Sequence, residues 1–301
     1  MGGLHLSANG EVLSLKQLED DVVGFGKIAD YLRREAGINL TLSAKNQTLL
    51  ASRMCKIMPQ IGLVTYQDLH LALASGKQNV RDAFISAITT NTTHFFREPA
   101  HFDLLARIFA EMRTKPEFNR SREIRIWCAA CSTGEEPYSI AMVAKKNLPA
   151  NENWKLRFLA SDIDRDVLAV AARGVYPAAS IDAIPQDCRQ QFFERGKGNS
   201  SDFVRVKREL REMITFAQFN LMTPSYSFQN RFDLVFCRNV MIYFDRPEIQ
   251  KTIEKLSSCL NVGGFLFLGH SETIMGGSPA LKSRAAAVYE RLPVGRKGEA
   301  A

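Results

Sequence analysis

I-R-I-W-C-A-A-C-S-T-G-E-E-P-Y, residues 124 to 138, decides the fold. Ile124, Ile126 and Trp127 are β-branched or aromatic and read as a short buried parallel strand. Small residues follow at Ala129, Ala130, Cys131 and Ser132, then Gly134, then Glu135 and Glu136 at the start of a helix that continues through Ile140, Ala141 and Val143. Strand, small-residue turn and helix make the nucleotide-cradling corner of an α/β sheet. A pyrophosphate seeks bare N–H groups at a helix start, and two carboxylates there would repel it. A cationic ligand beside an adenosine would be attracted, and S-adenosylmethionine, with its sulfonium and α-ammonium, is such a ligand. A plainer reading has Ser132 or Thr133 capping the helix while Glu135 or Glu136 closes a capping box. That needs only one glutamate, and both readings can hold together.

Outward from this corner the sheet continues. L-R-F-L-A-S-D-I-D, residues 156 to 164, reads as a second strand ending on Asp162, where an acid grips a ribose diol. Asp164 is better placed than Asp162 to cap the next helix. Further strands end on Asn220 and run into Arg238, Asn239 and Tyr243, and Gly263-Gly264 turns into the last one, which ends at His270, Ser271 and Glu272. Around residues 184 to 217 the βα rhythm breaks. A Gly-Lys-Gly-Asn-Ser-Ser turn beside the alternating Phe203 to Lys207 reads as an antiparallel insert, and such an edge can accept an extended peptide.

Before the α/β region, residues from about 20 to 90 read as helical. Apolar residues recur at helical spacing (Phe25, Ile28, Ala29, Leu32), and Gly37 serves as a C-cap. Arg33, Arg34, Arg53 and Lys56 read either as solvated charges or as one face for an acidic helix. Between the two regions lies T-T-N-T-T-H-F-F-R-E, residues 89 to 98. Phe95 and Phe96 want burial while Asn91, Thr93 and Arg97 want partners, which suits a ligand-cavity wall or a tight linker. The expected organisation is an all-α N-terminal domain over 1–88, a linker over 89–101 contributing to the cofactor pocket, and a doubly wound α/β domain over 102–292. A β subdomain over 184–217 is inserted in that domain, and a flexible tail spans 293–301.

Composition sets the remaining bounds. The chain has 301 residues, 46% hydrophobic and 24% charged, as in ordinary globular proteins. No apolar run approaches a membrane span, and M-G-G-L-H-L-S lacks the features of a signal peptide, so a cytoplasmic location is expected. Cys128-x-x-Cys131 has no second ligand pair at zinc spacing, and small buried thiols are the better reading. His94 and His101 have no ligand neighbours, and no metal is expected. The net charge of +7 points to an acidic partner. No basic run with interleaved aromatics supports nucleic acid. The missing G-x-G-x-x-G and G-x-S-x-G disfavour dinucleotide and hydrolase chemistry, and R-N-V-M-I-Y-F lacks the prolines found in many nucleic-acid N-methyltransferases at that position.

The chain resembles the CheR-type chemotaxis receptor glutamate methyltransferases. The resemblance rests on T-N-T-T-H-F-F-R-E (90 to 98), S-T-G-E-E-P-Y-S (132 to 139), A-S-D-I-D (160 to 164), F-C-R-N-V-M-I-Y-F-D (236 to 245) and G-H-S-E (269 to 272). It implies a class I S-adenosylmethionine-dependent, Rossmann-like methyltransferase domain behind a receptor-facing helical domain. It also implies methyl transfer to glutamate side chains on chemoreceptor cytoplasmic helices, with S-adenosylhomocysteine as product and no metal. Carried over by position, Asn91, Thr93 and Arg97 are expected as cofactor contacts from the linker. Glu136 is expected at the methionine end, Asp162 at the ribose, Asn220 and Leu221 at the adenine, and Arg238 and Asn239 along the same pocket. Arg97 and Tyr243 are expected beside the reacting carboxylate. The β insert is a candidate dock for a receptor's C-terminal peptide tether. The second helix, with Arg53 and Lys56 as its main charges, is less basic than the resemblance leads one to expect. The alternative is a cofactor-sensing or docking module without turnover.

The chemistry itself asks little of the protein. A glutamate carboxylate, which titrates in free peptides at about 4.3, is ionised at neutral pH and needs no general base. Its attack on a sulfonium methyl cancels charge, so positioning and exclusion of water are the main tasks.

Overall fold

The structure, a computed structural model, describes residues 5–6, 12–274 and 277–293. Most of the expected tail, residues 294–301, lies outside the described residues. After a short antiparallel pair, β1 (His5–Leu6) and β2 (Val12–Leu13), come α1 (Leu15–Asp20), α2 (Val22–Ala36), α3 (Ala44–Ile57), α4 (Tyr66–Ala74) and α5 (Gln78–Ile88). Asp21 and Ser43 cap α2 and α3 by accepting backbone N–H bonds, and Thr65 with Asp68 forms a capping box on α4. Phe25, Ile28, Leu32, Leu50, Met54 and Phe84 fill a core belonging to these helices. Gly37 ends α2 with φ 71, and a Cβ there would stand 2.8 Å from Met222 and 2.9 Å from Phe244. The helical region thus packs closely on the loops of the sheet.

The rest alternates. In order come α6 (Pro99–Thr114), α7 (Pro116–Ser121), β3 (Glu123–Ala129), α8 (Glu135–Asn147), β4 (Lys155–Asp162), α9 (Arg165–Arg173) and β5 (Val175–Pro177). Then follow α10 (Gln186–Phe192), β6 (Phe193–Arg195), β7 (Phe203–Val206), α11 (Arg208–Arg211), β8 (Ile214–Gln218), β9 (Phe232–Cys237), α12 (Arg246–Cys259) and β10 (Leu260–Leu268). The hairpin β11 (Leu281–Ala285) and β12 (Val288–Arg291) ends the sheet. Its strand order is β11-β12-β10-β9-β3-β4-β8. The five central strands are parallel, and β12 and β11 add antiparallel at one edge. Sequence order reverses between β3 and β9, so the crevice beyond their carboxyl ends is where a doubly wound fold binds its ligand.

Side chains of β3 alternate between two cores. Ile124, Ile126 and Cys128 join the layer that holds Tyr138 and Phe109, while Trp127 and Ala129 face the layer that holds Ile253 and Leu256 of α12. Trp127 is fully buried, ringed by Phe219, Tyr226, Phe228 and Phe232, and its indole N–H donates to Ser161 Oγ at 2.9 Å. Truncating an aromatic buried this way costs about 3–5 kcal/mol. The small antiparallel sheet has order β5-β7-β6, and its strand β5 comes from before the expected insert.

Candidate active site

The corner between β3 and α8 makes its turn with left-handed residues. Ala130 (φ 58), Ser132 (φ 50) and Gly134 (φ 99) all have positive φ. At Gly134 a Cβ would lie 2.8 Å from Ala171 Cβ and 2.9 Å from the Tyr176 hydroxyl, so only glycine fits. Gly134 is itself the N-cap of α8 and supplies no side-chain bond. The capping-box reading therefore fails: Ser132 and Thr133 lie ahead of the cap, and Thr133 Oγ1 instead donates to Glu135 Oε2 at 2.6 Å. Glu135 is buried, which raises its pKa against the Thr133 bond, and it does not line the cleft; Glu136 does. Cys128 and Cys131 are buried free thiols whose pKa burial pushes well up, in keeping with a packing role.

Asp162 terminates β4 beneath this turn. Its Oδ2 accepts the Ser132 N–H at 2.8 Å and its Oδ1 accepts the Asp164 N–H at 3.0 Å. Each oxygen keeps lone-pair capacity for a further donor, the arrangement a diol requires. Burial, with the charge of Asp164 adding, pushes its carboxyl up to about 6 against those backbone bonds. Asp164 caps α9 by accepting the Asp166 N–H at 2.9 Å, as the spacing predicts.

One cleft gathers every site residue expected from the sequence: Asn91, Thr93, Arg97, Glu136, Asp162, Asn220, Leu221, Arg238, Asn239 and Tyr243 all line it. The linker supplies one wall. Phe95 anchors it by packing edge-on against Tyr176 and Phe193, at 5.1 and 5.4 Å between ring centres. Asn91 Nδ2 donates to Asp164 Oδ2 at 3.1 Å, and Arg97 Nη1 donates to the Thr92 carbonyl at 3.0 Å. The Asn220 amide donates to the Glu35 carbonyl at 2.6 Å, and the Tyr243 carbonyl accepts the Asn39 N–H at 2.9 Å. Those two bonds bring the end of α2 to the cleft.

At the floor, the fully buried Arg238 side chain bridges two carboxylates: Nη1 donates to Glu136 Oε2 at 2.6 Å and Nη2 to Glu98 Oε2 at 2.9 Å. Glu98 Oε1 also accepts from Asn239 Nδ2 at 3.2 Å. Glu272 accepts the backbone N–H groups of Asn239, Met241 and Gly269, each at 2.7 Å, and so fixes the loop after β9. Glu98, His101 and His270 offer donor atoms within 4.8 Å of one another, but Arg238 already occupies the shared Glu98 oxygen with a fixed positive charge.

Several participants were not anticipated. Glu98 and Glu272 lie in the recognised motifs, yet the residues they hold are distant in sequence or on another loop. Ile38, Leu40, Leu49 and Arg53 from the helical region also line the cleft. Arg53 is not part of a solvated basic face, because its guanidinium donates to the Ala87, Ile88 and Thr89 carbonyls and to Thr90 Oγ1. It closes the C-terminus of α5 and ties it to the linker.

The chemistry of the lining suits S-adenosylmethionine: the Asp162 and Glu136 carboxylates on one cleft offer acceptors and negative charge to a ligand that carries hydroxyls and positive charge. The switch-point fold and this site define an S-adenosylmethionine-dependent methyltransferase of the doubly wound class. The family described as "CheR methyltransferase, SAM binding domain" matches residues 91–289, and the chain belongs to it. The chain is 38% identical over 267 residues to chemotaxis protein methyltransferase 2 of Pseudomonas aeruginosa, covering 88% of this chain and 91% of that protein. It is 38% identical over 250 residues to chemotaxis protein methyltransferase of Escherichia coli, covering 82% and 83%. Among solved structures it is similar to the glycopeptide N-methyltransferase MtfA complexed with S-adenosylmethionine, at 17% identity and a TM-score of 0.29 over 54% of this chain and 51% of that one, a likeness too slight to carry weight. Among the described residues no helix is long and apolar enough to cross a membrane.

Proposed function

We propose that the chain methylates glutamate side chains on the cytoplasmic helices of chemoreceptors, forming methyl esters that serve adaptation in chemotaxis. The names of the relatives support the chemotactic setting. The observation that carries the substrate class is the company of Arg97 and Tyr243 on the cleft wall, with no imidazole or amine among its described lining residues. A carboxylate needs no general base, only orientation. S-adenosylmethionine supplies the activated methyl when bound. Asp162 is proposed to hold the ribose, Glu136 the cationic methionine end, Asn91 and Thr93 the linker side, and Asn220 and Leu221 the adenine side. Arg238 and Asn239 complete the floor. The guanidinium of Arg97 spends one N–H on Thr92 and carries others that can orient a carboxylate. Tyr243 shares that task.

Arg97 acts by placement, since a tight ion pair would favour the ground-state carboxylate over the charge-depleted transition state. Arg97→Lys is therefore expected to lower turnover by about tenfold or more, because a point charge cannot reproduce the planar fork. Unchanged kcat with weakened cofactor binding alone would remove this role. The outer strands of the β5-β7-β6 sheet are the proposed dock for a receptor's C-terminal tether. The function as a whole is tested by incubating the protein with radiolabelled S-adenosylmethionine and a chemoreceptor cytoplasmic fragment. Base-labile label released as methanol is expected. Tight cofactor binding without any label, across several receptors, would favour a sensing module instead.

A further inference from the structure

We propose that Glu98, which lies outside the cleft lining, is a positioning residue that shares the Arg238 guanidinium with Glu136, so that the Glu136 carboxylate is not fully neutralised and keeps charge for the cationic end of the cofactor. The proposal deepens the functional reading and rests on the assignment of Glu136 to that end. One guanidinium stands between two carboxylates, with both bonds formed at 2.6 and 2.9 Å by a side chain that has no exposed surface. Glu98 is held independently of Arg238, by Asn239 Nδ2 at 3.2 Å and the His270 backbone N–H at 3.3 Å. It stays ionised at neutral pH: burial acts to raise its pKa, but the hydrogen bond and charge of Arg238 bring it below the usual value. The neighbouring His101 adds no charge, because burial and then Arg238 hold its imidazole down to about 4, while its Nε2 meets the Ala286 carbonyl at 3.1 Å. The triad Glu98–Arg238–Glu136 therefore carries one net negative charge, and of its two carboxylates it is Glu136 that lines the cleft, beside Arg238.

Were Glu98 neutral, Arg238 would pair with Glu136 undivided and the pair would present no net charge to an ammonium group. A merely structural Glu98, one that only ties α6 to the loop after β9, would give a different result. Loosening that tie would weaken any adenosine ligand, charged or not. The two roles separate with a pair of ligands: S-adenosylmethionine, and 5′-methylthioadenosine, which shares the adenosine and a sulfur but carries no ammonium or sulfonium.

Calorimetric affinities of both ligands for the full chain, its Glu98→Gln, Glu98→Asp and Glu136→Gln variants, with thermal midpoints, test this. Glu98→Gln keeps the shape and brings the triad to neutrality, so folding is expected to persist. It should bind S-adenosylmethionine about tenfold more weakly while methylthioadenosine is unaffected. Glu98→Asp, which keeps the charge, should retain the preference for the charged ligand. Equal weakening of both ligands by Glu98→Gln, no weakening of either, or a Glu98→Asp variant that behaves like Glu98→Gln would overturn the proposal. Glu136→Gln reports separately on the underlying assignment: selective loss of S-adenosylmethionine upholds Glu136 as the cationic contact, whereas an unchanged preference removes that assignment and the proposal with it.

Discussion

Replacing Arg238 by alanine is expected to destabilise the protein by about 3–5 kcal/mol, a fall of roughly 5–8 °C in thermal midpoint, and to abolish useful cofactor binding. The reason is electrostatic. Arg238 joins β9 to α8 through Glu136 and to the start of α6 through Glu98, and its removal strands two carboxylates with little solvent around them. Its own pKa is raised despite burial, because the two glutamates outweigh the cost of desolvation. Its guanidinium also lies 5.7 Å from the Phe102 ring centre, so packing is lost as well. Lysine would rescue little, since an ammonium offers no fork to span both partners. Chemical denaturation of Arg238→Ala beside wild type checks the prediction, and a loss below about 1 kcal/mol would show that the network contributes little to the fold.

Asp162→Asn should raise the dissociation constant for S-adenosylmethionine by about 100-fold, the worth of two charge-assisted hydrogen bonds. An amide has one acceptor oxygen, and its NH2 would face the N–H of either Ser132 or Asp164. The pH dependence follows from the same residue. With the folded carboxyl near 6, cofactor affinity in the wild type should weaken as pH falls through about 6, by at most about tenfold per unit. Stability responds in the opposite sense. Because the folded pKa lies above the unfolded one, the folded state takes up the proton first, and this group's contribution to stability rises as pH drops from about 6 toward 4. Affinity lost without stability lost, and no such inflection in Asp162→Asn, is the expected pair of results by calorimetry and thermal melting.

How much of this was visible in the chain depended on the distance over which residues act. The β3–α8 corner was legible because strand, small-residue turn and helix each leave a local signature, and Asp162 because strand ends are predictable. The capping box was misread for a local reason: the Ser/Thr-x-x-Glu spacing takes no account of the left-handed turns at Ser132 and Gly134, which start the helix one residue too late for such a cap. Glu98 and Glu272 lay in the recognised motifs without their roles being readable, since Glu98 meets Arg238 across 140 positions of sequence. The helical region's share of the cleft was hidden too. It arises from packing, where Asn220 reaches Glu35 and Asn39 reaches Tyr243, and no periodicity records such contacts. Arg53 looked like a surface charge because helical spacing shows which face a residue occupies but not that a neighbouring helix ends against it.

A crystal structure of the protein with S-adenosylhomocysteine tests the central claim most directly, that this cleft seats the cofactor through its carboxylates. The ribose hydroxyls are predicted to donate to Asp162 and the α-ammonium to lie on Glu136, with Arg238 still bound to Glu98. A ligand seated elsewhere, or in the cleft with Asp162 and Glu136 both unengaged, would contradict the account.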